Sequence, residues 1–297
     1  MPTDTADDAR DDLAIATHPG DIRSVLAALE RLRALDGDPA AFRAALLARF
    51  AHLSENGPRR DPGCLIRAAI VRALRGRLHA ADLPLLERGA LFYEAVRGVE
   101  TASSLRAECL AAMDDLDEAL ALSHATRLLL DAGGLNPTPD SIVTAIRLLG
   151  ERAEFRPLYL YVLQGEGHPA VIAECLRQLS ALPVSLVPSV VARHDGKLDD
   201  AIGVGLLDML IDHPAWADFA PLVLERIATA RSEHVYHFGA VAVVASRKAA
   251  LIAGLIEVAA SERRPARLRI LRDALVLREH DPVVREAMEG IERRLGR

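Results

Sequence analysis

The chain has 297 residues, is 51% hydrophobic but only 4% aromatic, and carries a formal net charge of −6. That apolar content suffices for a continuous core, in two globules or one elongated body, while the scarcity of aromatics disfavours a β-sandwich, whose strands draw on β-branched and aromatic side chains. The acidic balance excludes the broad cationic field that general nucleic-acid binding requires.

The first residues, MPTDTADDARDD, are acidic and polar where an export signal needs a basic region followed by an apolar one. Residues 1–18 are therefore expected to form a disordered acidic leader, and the protein to be cytoplasmic. Cys64, Cys109 and Cys175 lie far apart without a C-x-x-C pair, so neither a disulfide framework nor a thiolate metal site is expected. The apolar run from His234 to Ala260 contains Arg247 and Lys248, which a bilayer would have to bury. Two core helices joined by a charged turn are expected there, not a membrane span.

Within residues 19–297 a ladder recurs. Ile66, Ile70 and Leu74 stand at i, i+4 and i+8, as do Leu105, Cys109 and Met113, then Val171, Cys175 and Leu179, and later Ile202, Leu206 and Leu210. A looser version surrounds Ile142. This spacing puts three side chains on one helix face, which needs a neighbour to cover it. Helix starts near Pro62, Ala102, Thr138, His168, Leu198, Ser232 and Pro265 give steps of 30 to 40 residues, and the tetrapeptide AECL at Ala107 and again at Ala173 marks equivalent packing positions. Partner helices are expected from Asp82 through Val96, from Asp117 and from Pro183, with Asp117, Asp140 and Ser261 as caps near helix starts. A hairpin that buries one face per helix is stable only when stacked, so the pattern predicts one all-α domain of roughly seven hairpins, a right-handed α-α superhelix.

Asp61-Pro62 followed by Ile66-Arg67 and Ala69 resembles the second-helix signature of HEAT repeats, in which an Asp opens the helix and an Arg follows six residues later. Leu105-Arg106-Ala107 repeats the aliphatic-Arg part, and DPVVREAM at Asp281–Met288 is a shortened form. Thr144, Ile172 and Gly203 stand where the Arg would be in other repeats. The resemblance implies a helical solenoid over residues 38–296, with the second helix of each hairpin lining a concave face.

On that face, positions three and six residues beyond the first rung bring Arg72, Glu108, Glu174 with Arg177, and Asp208 into one polar strip, mixed in sign and leaning acidic. The strip suits a protein or basic peptide partner; the plainer reading is a solvated helix face. His234 and His237 stand at i, i+3, with His213 or Asp212 as the nearest possible third ligand, a spacing that matches no metal motif. Cys109 and Cys175 read as buried small hydrophobes. The run Arg263, Arg264, Arg267, Arg269, Arg272 and Arg278 reads as a solvated Arg face on an amphipathic helix, with phosphate or acidic-partner binding as the sharper alternative, and Trp216 reads as packing between layers.

No phosphate loop, nucleophile elbow or dinucleotide fingerprint occurs in the sequence, so no catalytic residue, cofactor or metal is expected. The expected function is a non-enzymatic scaffold or adaptor that holds a protein or peptide on its concave face. The resemblance leaves one enzymatic alternative, similar to HEAT-like DNA glycosylases or bilin lyases, with its site in that groove.

Overall fold

The computed structural model describes residues 4–18, 20–34, 40–97, 99–131, 139–194 and 199–296. Two compact units divide the chain, Met1–Arg152 and Ala153–Arg297. Both are helical, and the expected starts near Thr138 and Leu198 fall outside the described residues.

The first unit contains α1 (Asp4–Thr17), α2 (Ile22–Arg33), α3 (Ala40–Ser54), α4 (Gly57–Arg60), α5 (Leu65–Leu74), α6 (Leu83–Ala90), α7 (Ser103–Asp114), α8 (Glu118–Asp131) and α9 (Pro139–Glu151). The ladder helices form a row in which α2 packs on α5, α5 on α7 and α7 on α9, while α6 and α8 lie against α7. Ile70, Leu74, Leu105, Cys109 and Met113 are at most 1% exposed. Each fully buried side chain of this size contributes about 1.5–3 kcal/mol, so these faces hold the row together.

The expected disordered leader is instead the helix α1, packed on α2 and α3. Its acidic composition concealed an inward face. Ala16 is fully buried, and the nearly buried carboxylate of Asp12 accepts two hydrogen bonds from Arg31 Nε, at 3.0 and 2.9 Å, and another from its guanidinium tip. The partner helix expected from Asp82 through Val96 also ends early, at Ala90. The chain then turns into a short antiparallel hairpin, β1 (Ala95–Val96) paired with β2 (Val99–Glu100), because the acids of this segment serve buried arginines, as described below.

The second unit contains α10 (Phe155–Gln164), α11 (Pro169–Gln178), α12 (Val187–Arg193), α13 (Asp200–Asp212), α14 (Trp216–Thr229), α15 (Glu233–Ala245), α16 (Ala249–Ser261), α17 (Pro265–Leu275) and α18 (Pro282–Leu295). Its ladder row runs α11, α13, α15, α17, and a second row joins α14, α16 and α18. Val171, Cys175, Leu179, Ile202, Leu206 and Leu210 are all buried. The α11–α13 crossing is close because position 205 is glycine: a Cβ there would stand 2.7 Å from the carbonyl oxygen of Ala173 and 2.8 Å from its Cα. Here Gly serves backbone approach, which no other residue permits.

Of the expected caps, Asp117 accepts from the backbone N–H of Leu120 at 3.0 Å and opens α8. Asp140 lies inside the first turn of α9. Ser261 instead closes α16, donating to the Val258 carbonyl at 3.0 Å, and Glu262 takes the N–H groups of Arg263 and Arg264 at the start of α17. No described helix is long and apolar enough to cross a membrane. His234–Ala260 is two helices, and Lys248 in their turn donates to the Ile211 carbonyl and lies over the Trp216 ring at 5.1 Å.

Candidate functional site

The residues that carry the HEAT-like resemblance form a buried ionic core in the first unit. Asp61 is fully buried and accepts from the backbone N–H groups of Ile66 (2.9 Å) and Arg67 (3.0 Å) and from Arg67 Nε (3.0 Å). The Arg67 guanidinium lies 4.6 Å over Phe92 and 3.8 Å from Glu94, whose other oxygen accepts from Gly63 N–H at 2.8 Å. One layer on, Arg106 donates to both oxygens of Glu100, at 2.8 and 3.0 Å, and lies 4.1 Å over Tyr93. The segment that was expected to be helix thus supplies Phe92, Tyr93 and Glu94, and the strand after it Glu100, to two buried arginines. One signal for this was legible: Glu100 precedes Arg106 by the same six residues that separate Asp61 from Arg67. The charges of this core are paired with one another, so it ties the helices and the hairpin together.

The five strip residues are brought into two groups, one in each unit. In the first, Arg72 on α5 donates from Nε to Glu108 on α7 at 2.8 Å and reaches Glu30 on α2 at 3.5 Å. Beside it Arg75 holds Asp115 through bonds of 2.7 and 3.1 Å, and Arg33, Arg72, Arg75, Arg77 and Glu108 line one shallow depression. In the second, Arg177 on α11 bonds Glu174 at 2.8 Å and Asp208 on α13 at 3.1 Å. Burial pushes the Asp208 carboxyl above its ordinary range, against the opposing pull of Arg177. The acidic lean expected of the strip is thereby neutralised: Glu108, Glu174 and Asp208 each lie against an arginine. Both groups are half-exposed, with Arg72 and Arg177 each showing 39% of their side chain.

The three cysteines are fully buried. Burial pushes the Cys64 thiol up to about 12 and the other two upward as well, which removes thiolate character at neutral pH. His213 is buried at the end of α13, with Nε2 2.7 Å from the Leu182 carbonyl oxygen and Nδ1 accepting from Ala215 N–H, while His234 and His237 are exposed. Among the described residues no three His, Cys, Asp or Glu side chains gather as metal ligands.

The Arg-rich stretch is not one solvated face. Arg267 is 2% exposed, lies 4.3 Å over Tyr236 and donates to the carbonyls of Ala228 and Ala230. Arg264 and Arg272 are paired with Glu262 and Asp273. Burial would raise the Glu262 carboxyl, but Arg264 and the N–H groups of Arg263 and Arg264 outweigh that and hold it at about 2.

One surface feature was not anticipated. Where the α15–α16 and α17–α18 connections meet, an open depression of about 750 Å³ is lined by Val244, Ala245, Arg247, Leu277, Arg278, His280, Asp281 and Pro282. A second, smaller depression in the first unit is lined by Phe50, Leu85, Phe92 and Leu105, with Arg67 and Arg88. No protein-family model, curated protein or solved structure matches the chain.

Proposed function

We propose that each unit is a run of HEAT-like helical hairpins of right-handed α-α superhelical form, and that the chain is a non-enzymatic interaction scaffold working in the cytoplasm. The supporting observation is that consecutive ladder helices pack side by side and turn paired charges outward: Arg72 with Glu108 across α5 and α7, Arg177 with Asp208 across α11 and α13. Within each unit, a packed helix face that presents such salt bridges binds a protein or peptide by electrostatic complementarity at little reorganisation cost. The partner is then one of mixed charge, because each face offers bonded pairs, where the sequence alone suggested a protein or basic peptide.

The enzymatic alternative gains no support from the depressions. The lining of the apolar one in the first unit holds arginines but no carboxylate, and the other has only Asp281, engaged as a helix cap.

Charge-swap variants test the reading, since each inverts its helix-to-helix pair, at the loss of the further bonds to Glu30 or Glu174. Affinity capture with the wild-type chain, with Arg72→Glu/Glu108→Arg and with Arg177→Asp/Asp208→Arg should recover a partner set that one or both swaps lose, while circular dichroism shows the helical content unchanged. Identical recovery by all three baits ends the proposal. A co-purifying small molecule in place of a protein favours the enzyme.

A further inference from the structure

We infer that the depression at the α15–α16 and α17–α18 connections binds an acidic peptide carrying an apolar anchor residue. This surface is separate from the paired-charge faces and does not depend on them.

Its floor is apolar and uncovered. Leu277 is 56% exposed, and Val244, Ala245 and Pro282 complete the apolar part of the lining. A single exposed apolar residue is ordinary, but one set in an apolar depression excludes water when an apolar side chain enters.

Its rim is cationic, in a chain whose formal charge is −6. The exposed Arg247 and the half-buried Arg278 both line the depression, and neither guanidinium has a partner among the described residues. This contrasts with Arg72, Arg177, Arg264 and Arg272, each of which holds a carboxylate. The one carboxylate in the lining, Asp281, is engaged by the backbone N–H of Val283 at 3.0 Å.

Arg247 also sits at φ +59° just beyond α15, in the left-handed region that glycine adopts freely and a side-chain-bearing residue disfavours. Its neighbour Lys248 has a structural task in the same turn, bonded to Ile211 and stacked on Trp216. Arg247 has none, so the strained position holds a cation that the fold itself does not use. Cations over an apolar floor select carboxylates flanking an aliphatic residue. A basic peptide meets the two arginines, and a nucleic acid would find too few phosphate contacts to overcome the acidic chain.

The test uses the full chain and fluorescein-labelled peptides of about ten residues, built from Glu-Glu-Leu, Lys-Lys-Leu or Glu-Glu-Gly repeats, read by fluorescence anisotropy. The Glu-Glu-Leu peptide should bind saturably and the others at least about tenfold more weakly. Arg247→Glu/Arg278→Glu should abolish binding, and the Arg177→Asp/Asp208→Arg swap should leave it unchanged. Arg247→Gly guards against misfolding: it relieves the left-handed strain, so thermal stability should hold or rise while affinity falls. Equal binding of the Lys-Lys-Leu or Glu-Glu-Gly peptide overturns the inference, as does binding that survives the double Glu variant. So does self-association in sedimentation that this variant removes while no peptide binds, since a second copy is then the occupant.

Discussion

At Asp61 and Arg67 a single substitution has its largest expected effect. Removing one partner of a buried ion pair strands the other charge, which costs about 3–5 kcal/mol, whereas replacing both with apolar groups restores much of the loss. Asp61→Ala should therefore lower stability in chemical denaturation by an amount in that range, and Asp61→Ala/Arg67→Met should recover most of it. A double variant as unstable as the single one shows that shape, not charge, ties α5 to the hairpin. Glu262 gives a pH-dependent counterpart. Its folded carboxyl is held at about 2 against an ordinary 4.5, so its stabilisation is complete above 4.5 and disappears as pH falls from there to about 2. Glu262→Gln should cost on the order of 2 kcal/mol at neutral pH and progressively less in urea titrations at lower pH, becoming neutral near pH 2.

Between elements, the decisive feature is how closely ladder helices approach. At Gly205 an added methyl group meets the Ala173 backbone, which cannot move aside as a side chain can. Gly205→Ala should cost about 1–3 kcal/mol by overpacking. Gly290, on α18, has open space around its missing Cβ, so Gly290→Ala should raise the melting temperature through helix propensity, worth about 0.5–1 kcal/mol. Both changes swap the same residue types within helices, and their opposite signs separate packing from propensity. A destabilised Gly290→Ala would point to an interaction over that face. The two AECL copies express the same constraint: Cys109 lies against Gly89 and Cys175 is fully buried, so each copy puts a small side chain where a neighbouring helix comes close.

Across the whole molecule, the cysteines report on each unit. Cys64 and Cys109 belong to the first and Cys175 to the second, and all three are buried. Native protein should resist a thiol reagent such as DTNB. With rising denaturant, Cys64 and Cys109 should become reactive together, because Cys64 lies 3.0 Å from the Arg67 guanidinium and α5 packs directly on α7. Mass spectrometry of labelled peptides distinguishes this from separate exposure.

The sequence by itself determined which faces are buried. A three-rung apolar ladder has one low-energy solution, inward on a helix, and Leu105, Cys109 and Met113 with their counterparts lie there; the Asp61–Arg67 bond, which the sequence showed only as a spacing, closes over six residues by local geometry. Tertiary structure decided what depends on a partner distant in sequence. The helix at Asp4–Thr17 forms because Asp12 meets Arg31, the chain from Phe92 to Glu100 leaves helix because two buried arginines need its acids and rings, and the strip's charges cancel because Arg72 reaches Glu108, 36 residues away. Periodicity records what one helix asks of its surroundings, and the neutralisation of a charge depends on which groups the fold brings within bonding distance.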